Sequence, residues 1–346
     1  MKVDEKMTNG KSLNNIKYSV LDLSPILQGG TAADAFKNTL DLAQHAEKWG
    51  YNRYWLAEHH NMPGIASSAT SVVISHVAGG TSTIRVGSGG IMLPNHAPLV
   101  IAEQFGTLES LFPGRIDLGL GRAPGTDQVT AYALRRERRS DGQDFPEQLD
   151  ELRAYFNPEL DSQYRSVRAI PGEGLNIPIW LLGSSGYSAQ LAGQLGMPFS
   201  FASHFSPENT LGALKLYRRS FQPSDVLKEP YAMVGVNVIA AETDQEAQFL
   251  ATSMQQQFLN LFRNNPSPLL PPVENMGEQL TEYEKMLLDS RIGSSIVGSP
   301  QTVKEKLQQF LYDTQADEMI INAQIFNHDA RLKSFEIVSK IFKEMD

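Results

Sequence analysis

Strand-like and helix-like segments alternate along this chain from about residue 17 to its end, and this alternation constrains the fold more than any other feature. Apolar runs such as KYSVLDLS, NRYWLAE and RIDLGLGR have the length and composition of buried strands. Each is followed by a longer segment in which apolar residues recur at helical spacing. Between Thr31, a suitable N-terminal cap, and Gly50, for example, they include Phe36 and Leu40.

Eight strands are counted in this way. Strands that are joined through helices run parallel with right-handed crossovers, and eight is the number that closes a barrel. The alternation therefore predicts the α/β class and a (β/α)8 TIM barrel with insertions in its loop regions. An open doubly wound sheet is the alternative, and it is less favoured because no GxGxxG motif follows the first strand.

The barrel pattern accounts for residues 17–346, which we expect to form one domain. Residues 1–16 are polar and show neither a strand-like nor a helix-like pattern of apolar residues, so we expect them to be a flexible N-terminal tail. Two stretches, near residues 123–145 and 262–290, interrupt the alternation and are predicted to be insertions. Long loops of this kind often act as lids, and we expect substrate specificity to lie in them.

Composition excludes several classes of protein. The chain has 346 residues, no cysteine and a net charge of −9, so a disulfide scaffold, a zinc ribbon and thiol catalysis are ruled out. It has no long basic run that would suit nucleic acid, and no apolar segment of about 18 residues that would span a membrane. Its N-terminus lacks the apolar stretch of a signal peptide, so we expect a cytoplasmic protein.

Polar residues cluster where the predicted strands end. In a barrel, catalytic residues lie at the C-terminal ends of the strands and in the loops that follow. The second strand ends abruptly in Glu58, His59 and His60. Equivalent positions after the other strands hold Asp22, Ser24, Asn95, His96, Arg122, Ser184, Ser185, His204, Asn322 and Gln324. We therefore predict that the active site lies at this end of the barrel.

A metal site is one interpretation of the histidines at this rim. Metal ligands on a strand end usually alternate, as in His-x-His, because alternate residues share a face. His59 and His60 are adjacent, so at most one of them faces the mouth of the barrel, and no acidic residue pairs cleanly with the other histidines. We therefore predict no metal site. The alternative is that these histidines only form hydrogen bonds at the rim.

The segment GSSGYSAQLAGQLG indicates an anion site. It opens a helix directly after a strand, where free N–H groups and the hydroxyls of Ser184, Ser185 and Ser188 favour a negative charge. Simple capping of the helix by serine explains the same residues without a ligand. Arg122, which follows the neighbouring strand, favours a phosphate.

Ser88, Gly89 and Gly90 interrupt an apolar strand in VGSGGIMLP. Glycine weakens a strand, so it often marks a bulge or a ligand that lies against the backbone. A flat ring system can rest on such a pair. A phosphate beside the fourth and fifth strands and a planar ring beside the second and third together outline flavin mononucleotide (FMN).

Four segments in order carry a resemblance to a known family. They are WLAEHH, VGSGGIMLP, GRIDLGLGRAPG and IPIWLLGSSGYSAQLAGQLGMP, and IVGSPQTVKEKL before the last strand is also similar. The chain resembles the bacterial-luciferase-like, flavin-dependent monooxygenases, especially their single-subunit type. The resemblance spans nearly the whole chain and implies a (β/α)8 barrel that binds FMN, or its reduced form, at the C-terminal mouth.

The resemblance also implies roles for individual residues. His59 matches the active-site histidine, which assists proton transfer when the flavin reacts with oxygen. Gly89 and Gly90 match a non-proline cis peptide bond beside the flavin ring. Arg122, Ser185 and Ser188 match the phosphate ligands, and the expected cofactor-binding set is completed by Ser184, Gly186 and Tyr187.

This chain departs from luciferase itself in several places. It lacks the reactive cysteine that luciferase has near the flavin. Two alanines of luciferase are replaced by glycines in this chain, and the luciferase glutamate before the phosphate-binding serine is replaced by Ser184. We therefore do not predict light emission. The expected function is an FMN-dependent monooxygenase that oxidises an unknown small organic substrate with O2 and receives reduced flavin from an NAD(P)H:flavin reductase.

Three other functions stay open. They are a deazaflavin-dependent oxidoreductase, a non-catalytic flavin-binding protein, and an isomerase or aldolase. The last is disfavoured because no lysine stands at a strand end to form a Schiff base. Relatives pair through the second and third helices, whose segments VVISHVAGG and VIAEQFGTL are apolar here, so a homodimer is expected.

Overall fold

A closed barrel of eight parallel strands forms the centre of the molecule. The computed structural model describes residues 10–123, 127–135, 142–157, 159–160 and 166–344. In chain order the strands are β1 (Lys17–Asp22), β2 (Arg53–Leu56), β3 (Arg85–Met92), β4 (Ile116–Gly121), β5 (Ile179–Gly183), β6 (Phe199–Phe201), β7 (Ala232–Ala240), β8 (Ile296–Gly298) and β9 (Glu318–Asn322). The barrel runs β1 to β7 and closes through β9, which pairs with both β7 and β1. The predicted (β/α)8 TIM barrel is confirmed.

β8 is a strand that the alternation did not predict. It has only three residues and pairs with the last residues of β7, Val238 to Ala240, beside the barrel. The eighth barrel strand of the sequence prediction is therefore β9.

The helices surround the barrel, and several of them begin at a residue whose side chain caps the helix. They are α1 (Ala32–Lys48), α2 (Thr70–Gly79), α3 (Pro98–Leu111), α4 (Gln128–Arg135), α5 (Phe145–Phe156), α6 (Gly186–Gln194), α7 (Thr210–Ser220), α8 (Asp244–Phe262), α9 (Glu282–Ile292), α10 (Pro300–Thr314) and α11 (His328–Lys343). Thr31 caps α1 reciprocally with Asp34, and Ser299 caps α10 ahead of Pro300. In the described part of the chain, no helix combines the length and apolar character needed to cross a bilayer.

Two apolar layers hold the barrel together, because successive strand residues point to opposite faces. The outer layer lies between strands and helices and includes Val20, Leu42 and Phe105. The inner layer fills the barrel and includes Leu21, Trp55, Trp180, Met233 and Ile320. The inner layer is the floor on which a site at the mouth must rest.

The N-terminal end of the barrel is closed by buried charges. The Arg53 guanidinium lies 2.7 Å from Asp117 Oδ2 and 2.8 Å from Glu318 Oε1, and Arg85 binds the other oxygen of Asp117 at 2.6 Å. Burial would lower the pKa of Arg53, but the Glu318 and Asp117 carboxylates outweigh it and raise the pKa. These charges are compensated within the barrel and belong to its structure.

The stretches that we predicted to lie outside the barrel pattern are placed as follows. Residues 10–16 contact the barrel, with Leu13 buried and the Lys11 ammonium 2.7 Å from Asp317; residues 1–9 lie outside the described residues. The first insertion contains α4, and its residues 124–126 and 136–141 also lie outside the described residues. The second contains most of α9.

Three loop segments form a small roof over the C-terminal end of the barrel: residues 24–28, 64–66 and 266–269. Ile26 N–H donates to the Gly64 carbonyl and Ala66 N–H to the Ser24 carbonyl. On the other side, Gln28 N–H donates to the Leu269 carbonyl, and Leu269 N–H donates to the Ile26 carbonyl, both at 2.8 Å. The second insertion is thus fixed to the segment that follows β1.

Candidate functional site

A cavity of about 400 Å³ opens at the C-terminal end of the barrel, beneath the roof. This size is typical of sites for organic ligands. Its floor includes Leu21, Trp55 and Ile320 of the inner layer. Its upper walls are largely apolar and include Leu23, Met62, Ile65, Phe205, Phe258 and Leu261.

One end of the cavity combines an arginine with an uncapped helix N-terminus. Ser185 precedes α6 and has extended backbone angles, but its side chain does not cap the helix, so the first N–H groups of α6 remain open. The guanidinium carbon of Arg122 lies 4.2 Å from the centre of the Tyr187 ring, which holds Arg122 beside this helix end. Among the described residues that line the cavity, Arg122 carries the only permanent charge.

The glycines of β3 lie where β3 and β4 approach each other closely. The Gly89–Gly90 peptide bond is cis, as the resemblance implied. A Cβ atom on Gly90 would lie 2.8 Å from the Gly119 carbonyl oxygen, and a side chain on Gly119 would collide with the Ser88 carbonyl. Gly89 lines the cavity and leaves its wall flat at this point.

Two histidines with lowered pKa values, His59 and His204, line the cavity. Burial lowers the pKa of His59, against the opposing effect of the Glu58 carboxylate. Burial and the nearby His59 lower the pKa of His204 to about 4. Both imidazoles are therefore uncharged at neutral pH. Among the described residues, neither Nδ1 atom has a hydrogen-bond partner, and Gly235 leaves space for the His204 ring, because a Cβ there would collide with it.

Glu58 is the centre of a buried hydrogen-bond network next to the cavity. Its Oε1 atom accepts hydrogen bonds from His60 Nε2 at 2.8 Å and from His96 Nε2 at 3.0 Å, and its Oε2 atom accepts from the Met92 N–H at 2.9 Å. Burial alone would raise the pKa of Glu58, but the hydrogen bonds from His60 and His96 outweigh it and lower the pKa to about 2.

The expectation that no acidic residue pairs with the rim histidines is therefore wrong. Residues 58, 92 and 96 are brought together by the register of β2 against β3, which the sequence does not reveal. The ligand atoms of Glu58, His60 and His96 lie within 4.8 Å of one another, so this group is able to hold a metal ion. Both Glu58 oxygens already accept hydrogen bonds, and the absence of a metal site stays a prediction.

The cavity brings together most of the residues that the sequence singled out. Its lining includes His59, Gly89, Arg122, Ser184, Ser185, Ser188, His204, Asn322 and Gln324. Gly90, Gly186 and Tyr187 adjoin it without lining it, as does His60. Asp22 and Ser24 do not line it: Asp22 instead accepts hydrogen bonds from Tyr54, Thr39 and Arg331 between the barrel and its helices.

Sequence reasoning missed Asn237 and Gly235 of β7, which also line the cavity. Both lie inside the apolar run YAMVGVNVIAA and therefore looked like core. The available signal was their spacing, because residues 233, 235 and 237 share the inward face of a strand. A polar side chain on that face near the C-terminal end of a barrel strand belongs to the site.

A closed parallel barrel with an arginine beside an open helix N-terminus, an apolar cavity and uncharged histidines at its mouth is typical of enzymes that bind a phosphorylated cofactor. The family model for luciferase-like monooxygenases matches residues 16–318. The chain belongs to the luciferase-like monooxygenase family and is an oxidoreductase, as its resemblance to the family implied.

Individual relatives cover nearly the whole chain. A luciferase-like monooxygenase of Escherichia coli (strain K12) is 54% identical over 95% of this chain and 98% of its own. The N-acetyl-S-alkylcysteine monooxygenase of Bacillus subtilis (strain 168) is 34% identical over 94% of this chain and 97% of its own. The crystal structure of apo-MsnO8 has a TM-score of 0.84 at 31% identity and covers 95% of this chain and 99% of MsnO8.

Proposed function

We propose that this protein is an FMN-dependent monooxygenase that takes up reduced FMN and uses O2 to oxidise a small, largely apolar organic substrate. The observation that carries the proposal is the meeting of Arg122 with the open N-terminus of α6 at one end of an otherwise uncharged cavity. A guanidinium, serine hydroxyls and helix N–H groups together suit a phosphate dianion.

The other end of the cavity supports the same cofactor. The described residues His59, His204 and Gln324 each present a buried polar atom without a partner, which suits the polar edge of a flavin or of a substrate beside it. Gly89 provides a wall without a side chain. The residues present therefore fit FMN.

Reduced FMN, when bound, would supply the electrons that activate O2. Arg122, Ser185 and Ser188 would bind its phosphate and so set its position. The apolar walls formed by Trp55, Phe258 and their neighbours would exclude water. The uncharged imidazole of His59 would accept a proton at a ring nitrogen and return it.

The substrate preference follows from the same walls. Apart from Arg122, which the phosphate would occupy, no described residue lining the cavity carries a permanent charge. A charged substrate group would therefore lose its hydration without compensation. This favours an uncharged and mainly apolar region in the part of the substrate that enters the cavity.

Titration of FMN tests the proposal. We expect Arg122→Ala to weaken FMN binding by about 30-fold, or about 2 kcal/mol, because a charge-assisted phosphate contact is lost. Riboflavin, which lacks the phosphate, should bind the wild type and the variant alike. Arg168→Ala, which removes an exposed arginine paired with Glu173, is the matched control and should leave both affinities unchanged.

Equal FMN affinity in wild type and Arg122→Ala would contradict the phosphate assignment. The same assay separates the alternatives, because a deazaflavin enzyme would bind that cofactor in preference to FMN. A non-catalytic flavin carrier would bind FMN without oxygen-dependent turnover. An NAD(P)H:flavin reductase is the partner that this proposal requires.

We also propose a homodimer formed through α2 and α3. These two helices contact each other and expose Val72, 67% accessible, and Leu111, 60% accessible. Exposed apolar side chains on two adjacent helices are typical of an interface between copies of a chain.

A further inference from the structure

Three carboxamide side chains form a hydrogen-bonded row along one wall of the cavity. Asn237 of β7 and Asn322 of β9 are paired residues in adjacent strands, and Asn322 Nδ2 donates to Asn237 Oδ1 at 2.9 Å. Gln324 Nε2 donates to Asn322 Oδ1 at 3.2 Å. All three residues line the cavity and are at most 5% exposed.

The main chain fixes the direction of this row. Asn237 Nδ2 lies 2.8 Å from the backbone carbonyl oxygen of His204, which can only accept a hydrogen bond. Asn237 must therefore turn its oxygen towards Asn322, and Asn322 must turn its oxygen towards Gln324. Asn237 and Asn322 each use both a donor end and an acceptor end in the row, so reversing either of them would break at least two hydrogen bonds. Reversing Gln324 would break its hydrogen bond to Asn322 and turn two amide oxygens towards each other.

The row ends at Gln324 Oε1. This atom is buried, and it has no hydrogen-bond partner among the described residues. Gln324 is only 3% exposed. A buried acceptor without a partner costs about 1–3 kcal/mol, and its orientation here is held by three successive hydrogen bonds, so it cannot relieve that cost by rotating. A ligand that donates a hydrogen bond would remove the cost.

We propose that Gln324 Oε1 is a preset hydrogen-bond acceptor for an N–H or O–H group of a bound ligand, and that Asn237 and Asn322 hold it in that orientation. The donor has two possible sources. One is the imide N–H of FMN, in which case the inference rests on the proposed function. The other is an amide or hydroxyl group of the organic substrate. A carbonyl or carboxylate oxygen is disfavoured at this point, since two acceptors would face each other.

Two matched pairs of probes distinguish these sources. The first pair is FMN and FMN methylated at its imide nitrogen N3, measured by quenching of flavin fluorescence. The second pair is N-methylacetamide and N,N-dimethylacetamide, measured by ligand-observed NMR on protein without flavin. In each pair only the first compound has the N–H donor. We expect wild type to prefer the donor in one pair by about fivefold, the effect of one hydrogen bond.

Variants assign the preference to the row. Gln324→Met keeps the approximate size of the side chain but removes the acceptor, so the preference should disappear. Asn237→Leu leaves Gln324 in place but removes the anchor at the His204 carbonyl, so the row can reverse and the preference should shrink. A purely structural role of Asn237 would change affinity for both compounds of a pair equally. Thermal unfolding of each variant shows whether it is folded.

A preference in the FMN pair assigns the donor to the flavin, and one in the acetamide pair assigns it to the substrate. The proposal is overturned if wild type shows no preference in either pair, a result that needs no variant. It is also overturned if Gln324→Met keeps the full preference. Failure of wild type to bind FMN would instead contradict the proposed function, and the acetamide pair would still test the acceptor.

Discussion

At the scale of single residues, burial keeps the two imidazoles of the cavity uncharged at neutral pH. His59 and His204 line the same cavity, and a positive charge on His59 lowers the pKa of His204. The Glu58 carboxylate works in the opposite direction on His59 but does not outweigh burial. The result is a proton acceptor that is available at neutral pH.

This environment predicts a pH dependence for the reaction of bound reduced FMN with oxygen. Since the pKa of His59 lies below its ordinary value near 6.5, proton acceptance should be lost only as the pH falls below that value. We expect the stopped-flow reoxidation rate to show an acid limb with a midpoint below 6.5. His59→Gln should remove the limb, whereas His45→Gln, on α1 outside the cavity, should keep it. A limb that survives in His59→Gln would assign the titration to another group.

The sequence was informative about residues whose position on the chain already places them at a strand end. His59, Arg122 and Gln324 could be selected in this way because barrel geometry brings all strand ends to one rim. The hydrogen bonds of Glu58 could not be predicted, because Met92 ends a different strand, His96 follows it, and their contact with Glu58 depends on strand register. Asn237 was missed because it lies within an apolar strand rather than after one.

At the scale of elements, the Glu58 network joins the end of β2 to the segment after β3. Asn95 also donates to Glu58, at 3.1 Å, and accepts a hydrogen bond of 2.7 Å from Arg135 at the end of α4. One carboxylate thus connects two loops of the barrel to the helix within the first insertion.

The lowered pKa of Glu58 predicts that the stability of the fold decreases at low pH. The pKa of Glu58, about 2, lies below the ordinary value of 4.5, so its stabilisation is fully present above about pH 4.5 and is lost as the pH falls through 2. We expect Glu58→Gln to lower the free energy of unfolding by about 3 kcal/mol at pH 7. Urea unfolding should show this difference shrinking towards pH 2–3. Glu305→Gln, at an exposed position of α10, is the control and should change the free energy of unfolding little. A difference between wild type and Glu58→Gln that stays constant at all pH values would contradict the prediction.

The alternation of elements was predictable, but short elements and their pairing were not. Barrel strands such as β1 and β7 have enough residues to show a pattern, and their flanking helices confirm them. β8 has only three residues and lies directly before the cap of α10, so its sequence could not be distinguished from the loop that leads into that helix. Which residues of β7 and β9 lie opposite each other depends on packing, and that register creates the Asn237–Asn322 pair.

At the scale of the whole molecule, the two ends of the barrel differ in charge. The N-terminal end buries a compensated cluster around Arg53, whereas the described lining of the C-terminal cavity has Arg122 as its one permanent charge. Charge that is paired inside the fold contributes to structure, and a charge with no carboxylate partner among the described residues can pair with a ligand.

The proposed dimer rests on the apolar residues that α2 and α3 expose at the outer surface. Val72→Glu places a charge at an exposed position of α2, and we expect it to shift the protein from dimer to monomer because the charge would be buried at the proposed interface. Analytical ultracentrifugation measures the change. Val226→Glu, which replaces a valine of similar exposure (56%) after α7, should leave the mass unchanged. A monomeric wild type would rule out the dimer.

The roof has a consequence for how molecules reach the cavity. Its three segments are joined by the four main-chain hydrogen bonds among Ser24, Ile26, Gln28, Gly64, Ala66 and Leu269. Movement of any one segment alone would break at least two of these hydrogen bonds, and the middle segment is bonded on both sides. If these hydrogen bonds stay intact, a ligand can enter from this side only when the three segments move together. Entry there would then depend on one cooperative motion and not on the independent flexibility of each loop.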